Sequence, residues 1–164
     1  MAAAAGLVRL SFNRLGAEAM YLLDTNVLSE CMRPRPDPQV LAWLDASPID
    51  AYQLSATTQA EIELGIARLP EGKRNQDLMR YAIAFFRQFF KGACLPFDGE
   101  GAGLYARIVS QRGQMGRPIS VEDGQIAAVA LQHDLTLVTR NVKDFLDIPG
   151  LRLVNPWEDR PSSG

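Results

Sequence analysis

Nineteen aspartates and glutamates, a single histidine and two cysteines set the chemical repertoire of this 164-residue chain. Its one histidine is His133, and its cysteines, Cys31 and Cys94, lie far apart. Neither a structural zinc site nor a disulfide framework can be assembled from that set, and a nucleophilic triad would depend on His133 alone. Carboxylates are what remain. Three of them draw attention by their surroundings: Asp24 in LLDTNV, Glu61 in SATTQAEIELG and Asp123 in RPISVEDGQIAA. Asp24 directly follows an apolar run, Glu61 is expected in the first turn of a helix after Ser55, and Asp123 in the first turn of a helix running to His133. Singly, each has a structural explanation. Thr58-x-x-Glu61 and Ser120-x-x-Asp123 fit the capping box, in which the acid reaches back to the N-cap amide, and Asp24 fits an N-cap before a short turn. Together, three like charges at one place repel unless a cation compensates. An all-oxygen donor set suits Mg²⁺, with Mn²⁺ as a substitute, because such ions keep several waters and need few carboxylates. Such an ion activates a water and stabilises a phosphoryl oxygen, which points to a phosphate-ester substrate.

Those acids need a scaffold that delivers them to one place. From Tyr21 onward, short apolar runs alternate with helical spacing. Tyr21–Leu23, Tyr52–Ser55, Ala93–Phe97, Leu135–Thr139 and Leu151–Val154 read as strands. Between them, helices are expected at Val40 to Leu44, Ile62 to Leu69 (ended by Pro70), Leu78 to Phe90, Leu104 to Val109 and Ile126 to Leu131. Strands alternating with helices imply βαβ units and a mostly parallel, about five-stranded sheet covered on both faces. Ligands of such sheets bind beyond the carboxyl ends of the strands, where the three acids would converge.

Composition agrees. With 47% hydrophobic and 22% charged residues the chain is neither disordered nor collagen-like. No apolar run approaches the ~20 residues of a membrane span. Residues 1–19 read as an extension rather than a secretion signal, since no basic residue precedes the apolar stretch Ala2 to Val8, and Met20 is an alternative start. Residues 20–158 then form one domain and 159–164 a tail. Few, unpaired cysteines fit a reducing, cytoplasmic setting. A net charge of −2 argues against holding nucleic acid by overall charge and leaves room for a local basic strip.

At these motifs the chain resembles the PIN-domain proteins, in particular the VapC-like ribonuclease toxins of bacterial type II toxin–antitoxin pairs, in their FitB-like branch. The resemblance runs from Met20 to about Trp157. It rests on LLDTNVLSE (Leu22–Glu30), SATTQAEIELGI (Ser55–Ile66), LPFD (Leu95–Asp98), ISVEDGQIAAVA (Ile119–Ala130), LTLVTRNVKDF (Leu135–Phe145) and NPW (Asn155–Trp157), in that order. It implies a three-layer α/β/α sandwich and an Mg²⁺-dependent endoribonuclease with Asp24, Glu61 and Asp123 as its acidic centre. Asp24 and Asp123 would be the direct ligands, and Thr25, Asn26 and Thr139 would orient carboxylates or bound waters. It also implies a homodimer and an antitoxin partner, a small DNA-binding protein whose C-terminal segment wraps the toxin and obstructs the acidic pocket. One position departs. Many relatives carry a fourth acid directly after the Thr-Arg pair, where this chain has Asn141. Asp144, three residues on, shares a face with it if the segment is helical and is the candidate for the missing charge. A single-ion site is therefore expected.

Two basic clusters accompany the acids. Lys73, Arg74, Arg80, Arg87 and Lys91 read as a solvated helix face, whereas Arg107, Arg112 and Arg117 precede Asp123 and form the expected RNA track. Arg107 and Arg117 are the candidate phosphate contacts. Gly101-x-Gly103-x-x-Ala106 fits the dinucleotide pattern, but it follows the third strand among acids and reads as a mobile turn at a helix start. Phe85, Phe86, Phe89 and Phe90 exceed one buried stripe and suggest a partner surface. His133 is expected to pack or cap, and Trp43 and Trp157 to anchor a core or interface. Two rival readings stay open. One is another Mg²⁺-dependent phosphoryl-transfer domain, although Asp24-Thr25-Asn26 lacks the second aspartate a haloacid-dehalogenase-like site wants. The other is a weak or inert PIN-like module whose acids accept an Arg of a partner, with Asn141 as its best support.

Overall fold

The computed structural model describes residues 20–90 and 94–160, with the backbone alone for 86–90. The extension 1–19, the end of the tail, Lys91, and the side chains of Phe86, Arg87, Phe89 and Phe90 lie outside the described residues.

Five strands form one parallel sheet: β1 (Tyr21–Leu23), β2 (Tyr52–Ser55), β3 (Cys94–Leu95), β4 (Thr136–Val138) and β5 (Arg152–Val154), in the order β3-β2-β1-β4-β5. Register is set by Tyr21 opposite both Tyr52 and Thr136, and by Val138 opposite Val154. Helices α1 (Thr25–Cys31) and α2 (Pro38–Asp45) carry the chain from β1 to β2, and α3 (Ala56–Ala67) and α4 (Lys73–Phe90) carry it to β3. From β3, α5 (Gly99–Gln114) and α6 (Val121–Gln132) lead to β4, and a single 3-10 turn, Val142–Phe145, lies between β4 and β5.

Side chains alternate across the pleat, so adjacent strand residues feed different layers. Leu22 and Leu137 pack with Ile108, Ile126, Val129 and Phe145 under α5 and α6. Leu23, Leu54 and Val138 pack with Val27, Val40, Trp43 and Ile62 under α1 to α4. This is the expected α/β/α sandwich, and Leu22, Leu54, Leu137 and Val138 are fully buried because both faces of the sheet are covered.

Two local expectations are corrected. The short turn after β1 is a seven-residue helix, started by Asp24, whose Oδ1 accepts from Thr25 N at 2.8 Å. Gly101 and Gly103 do not form a mobile turn: they lie inside α5, whose N-cap is Asp98. A Cβ on Gly101 would come within 3.1 Å of Gln132 Oε1 and 3.3 Å of the Phe97 ring, so this glycine permits close packing of α5 on the end of α6.

The chain leaves β1 toward β2 and β3 and later returns to place β4 on the other side of β1. Beyond the carboxyl ends of β1 and β4 the crossovers therefore diverge and leave a crevice, the place where parallel sheets bind ligands. Asp24 is the first residue past β1, and Thr139 the first past β4.

Candidate functional site

The cleft at that point has a volume of about 380 Å³. Asp24, Glu61 and Asp123 all line it, brought there by α1, α3 and α6. Asp24 is buried, at 4% exposure, with nearly every acceptor position used. Besides Thr25 N, its Oδ2 accepts from Thr139 Oγ1 at 2.7 Å and Asn26 Nδ2 at 3.0 Å. Thr139 is itself fully buried and accepts from Asn141 N at 3.1 Å and Asn26 Nδ2 at 3.3 Å. The Thr139 hydroxyl proton is thereby directed at Asp24. Thr25 Oγ1 donates to Glu61 Oε2, joining α1 to α3.

Glu61 stands in the second turn of α3, not the first. Ser55, not Thr58, is the N-cap, its Oγ accepting from Thr58 N at 3.0 Å, because β2 runs directly into the helix. Glu61 is thus released from capping and reaches Thr25. Asp123 does fall in the first turn of α6, with Ser120 Oγ accepting from its N–H at 3.1 Å.

Electrostatics couple the three. Burial holds the Asp24 carboxyl above its ordinary value against the lowering hydrogen bonds of Thr139 and Thr25, and the charge of Glu61 adds to the rise. Burial also raises Asp123, reinforced by Asp24, Asp144 and Glu122, with Ser120 acting the other way. Glu61 is raised by burial first and then by Asp123 and Glu122, against the Thr25 hydrogen bond. Each acid is pushed toward its neutral form partly by the others, the signature of a site short of positive charge.

Among the described residues no three His, Cys, Asp or Glu side chains form a ready cage for an ion. What the cleft offers is carboxylate oxygen from Asp24 and Asp123 beside neutral donors. That set fits a hard, well-hydrated divalent cation that takes one or two carboxylates, and it does not fit a metal needing nitrogen or sulfur. Cys31 cannot serve, since burial pushes its thiol up to about 12.

Asn141 lines the cleft, while Asp144, one 3-10 turn further on, acts on Asp123 through its charge without lining it. The basic strip is dispersed. Arg112 is buried and donates to the carbonyls of Leu146 and, at 3.2 Å, Asp144. Arg117 pairs with Asp147, Arg107 is exposed, and neither lines the cleft. The lining cations are Arg33 and Arg140, neither of them among the sequence-predicted site residues, nor are Ser29 and Glu30. Trp157, expected to anchor a core or interface, does pack on the core and also lines the cleft. Asn26, Ser29, Glu30 and Arg33 recur at helical spacing, a polar stripe that becomes visible once α1 is recognised as a helix.

Fold and cleft define a class of three-layer α/β proteins with an acidic ligand site at the switch point of a parallel sheet. The chain belongs to the PIN domain family, whose sequence profile matches residues 21–151. It is 43% identical to Toxin FitB of Neisseria gonorrhoeae over 140 residues, 85% of this chain and 100% of the relative. To VapC ribonuclease Y4jK of Sinorhizobium fredii it is 40% identical over 139 residues, covering 85% of this chain and 99% of that protein. The crystal structure of FitAcB from Neisseria gonorrhoeae superposes with a TM-score of 0.79 at 42% identity, covering 85% of this chain and 100% of the FitAcB chain.

Proposed function

We propose that this protein is the toxin of a type II toxin–antitoxin pair and acts as an Mg²⁺-dependent endoribonuclease on RNA phosphodiester bonds. One observation carries the reading: three carboxylates from α1, α3 and α6 share one cleft and raise one another's proton affinity. The relatives at 43% and 40% identity are a named toxin and a named ribonuclease, which supports the same reading. Asp24 and Asp123 would hold the ion, with Mn²⁺ as a substitute for Mg²⁺. When bound, such an ion supplies a Lewis acid for the phosphoryl oxygen and lowers the pKa of a water.

The chain's own groups do the rest. Thr139 and Asn26 fix the Asp24 carboxylate in one orientation, so little reorganisation accompanies the reaction. Thr25 holds Glu61 on the cleft wall, where its raised proton affinity suits it to position a water and take its proton. Asp144 supplies the negative charge that Asn141 does not. The partners are an antitoxin whose C-terminal segment obstructs the cleft, a second copy of this chain, and RNA, all in the cytoplasm.

Expression of the chain alone tests the toxin role. Growth arrest with RNA degradation is expected, relieved by co-expressed antitoxin and absent for Asp24→Asn. Equal arrest by wild type and Asp24→Asn sinks the assignment of the acids. Titration calorimetry addresses the inert-module reading: Mg²⁺ binding in the millimolar range, lost in Asp24→Asn, is expected, and no binding by wild type supports an inert site.

A further inference from the structure

Arg140 is the first residue beyond Thr139, and its position is tied to the acidic centre. Its backbone N–H donates to Asn26 Oδ1 at 3.1 Å, and the same Asn26 donates to Asp24 at 3.0 Å. At the other end, the Arg140 guanidinium carbon lies 5.0 Å from the centroid of the Trp157 ring. Trp157 is a firm base for it. Its N–H donates to Asn155 Oδ1 at 3.1 Å, its carbonyl accepts from Gln39 Nε2 at 2.6 Å, and its side chain packs on the core under α1 to α4. Both Arg140 and Trp157 line the acidic cleft.

The other lining cation, Arg33, already faces Glu30 at 3.3 Å. Among the described residues no carboxylate lies within ion-pair distance of Arg140, although the cleft is rich in acids. A polyanion entering a cleft lined by Asp24, Glu61 and Asp123 is repelled by all three, so its binding needs a fixed positive charge beside them. An arginine held against an aromatic ring keeps its full charge, and its planar fork matches two phosphate oxygens at once. Stacking also removes much of the rotamer freedom that would otherwise be lost on binding.

We propose that Arg140, supported by Trp157, is a substrate-binding residue that grips an RNA backbone phosphate next to the acidic centre. The proposal rests on the ribonuclease reading above and deepens it: substrate is held at the cleft itself, which Arg107 and Arg117 do not line.

The test measures binding without turnover. Asp123→Asn protein is titrated against a short labelled single-stranded RNA across a series of KCl concentrations, alone and combined with Arg140→Gln or Arg140→Lys. Arg140→Gln is expected to weaken binding about tenfold. It should also lower the slope of log K against log salt by roughly 0.7, the loss of one phosphate contact on a single strand. Arg140→Lys should keep the slope and recover part of the affinity, which a merely structural role for Arg140 does not predict. If the parent binds RNA and Arg140→Gln binds it with the same affinity and slope, the role of Arg140 is overturned and the ribonuclease reading stands. If the parent, titrated with millimolar Mg²⁺ as well as without it, binds no RNA under either condition, the ribonuclease reading falls and takes this proposal with it.

Discussion

The buried Asp24 carboxylate and the Thr139 hydroxyl that points at it are the most constrained pair in the site. Removing that donor leaves a buried charge short of a partner, a loss of about 1–3 kcal/mol. Thr139→Val, nearly the same shape, is therefore expected to lower unfolding free energy by that amount in a denaturant titration and to reduce RNA cleavage. Asp123 leads to the opposite stability effect. A carboxyl whose folded-state value is raised binds its proton more tightly folded than unfolded, so its stabilising contribution is present below 3.8 and is lost as pH rises through the raised value. Without divalent ions, this contribution should lower the melting temperature of wild type as pH climbs from 3.8 toward neutrality, while Asp98, whose value is lowered, acts the other way. Asp123→Asn should flatten that fall and melt higher near neutral pH, while cleaving no RNA; an unchanged pH profile in calorimetry counts against the coupled-acid account. Asp24, Glu61 and Asp123 were legible in sequence because each lies just past a strand end or near a helix start, whereas Thr139, expected within the fourth strand, was legible only through the resemblance of its motif to the PIN family. Arg140 and Trp157 were not, because nothing in their spacing reveals that residues 140 and 157 meet; only the parallel pairing of β4 with β5 brings their segments together.

At the scale of elements, the approach of α5 to α6 decides where Asp123 sits. Gly124 follows it directly, and a Cβ there would meet Tyr105 Cε2 at 2.8 Å and Cδ2 at 3.0 Å. A side chain at that point has room only if the Tyr105 ring or the helix gives way. Gly124→Ala gains up to about 1 kcal/mol in helix propensity but forces the Tyr105 ring or α6 to move, an overpacking cost of about 1–3 kcal/mol. The expected outcome is a small loss of stability with a larger loss of cleavage, since the displaced turn carries Asp123; unchanged cleavage would mean that α6 tolerates the shift. All five strands were readable from apolar runs. β1 and β2 keep the expected bounds, β4 and β5 lose one residue at an end or at both, and β3 stops two residues short of Phe97, its expected start at Ala93 lying outside the described residues. The N-terminal turn of α1 was less readable. Thr25, Asn26 and Ser29 favour turns and caps, so its polar stripe looked like a loop until the sheet and α3 gave its apolar side, Val27 and Leu28, something to cover.

For the molecule as a whole, strand order follows from connections the sequence does not state. Covering both faces could be inferred from the continuous apolar runs, but placing β4 beside β1 required the structure, and that placement makes the cleft. Shape and charge then serve one end: the sheet's buried leucines and valines hold the frame while the acids gather at its carboxyl edge. Surface apolar residues such as Leu64 and Tyr81, at 49% and 40% exposure, remain outside either core. Among the described residues no helix is long and apolar enough to cross a membrane. A ribonuclease of the proposed kind needs this frame to present an acidic, ion-requiring centre to RNA. Incubating the purified chain with RNA in Mg²⁺, in EDTA, and as the Asp24→Asn variant in Mg²⁺ tests it most directly, with circular dichroism to confirm that the variant is folded. Fragments should accumulate in the first reaction and in neither of the others; cleavage that proceeds equally well in EDTA, or with Asp24→Asn, is incompatible with such a centre.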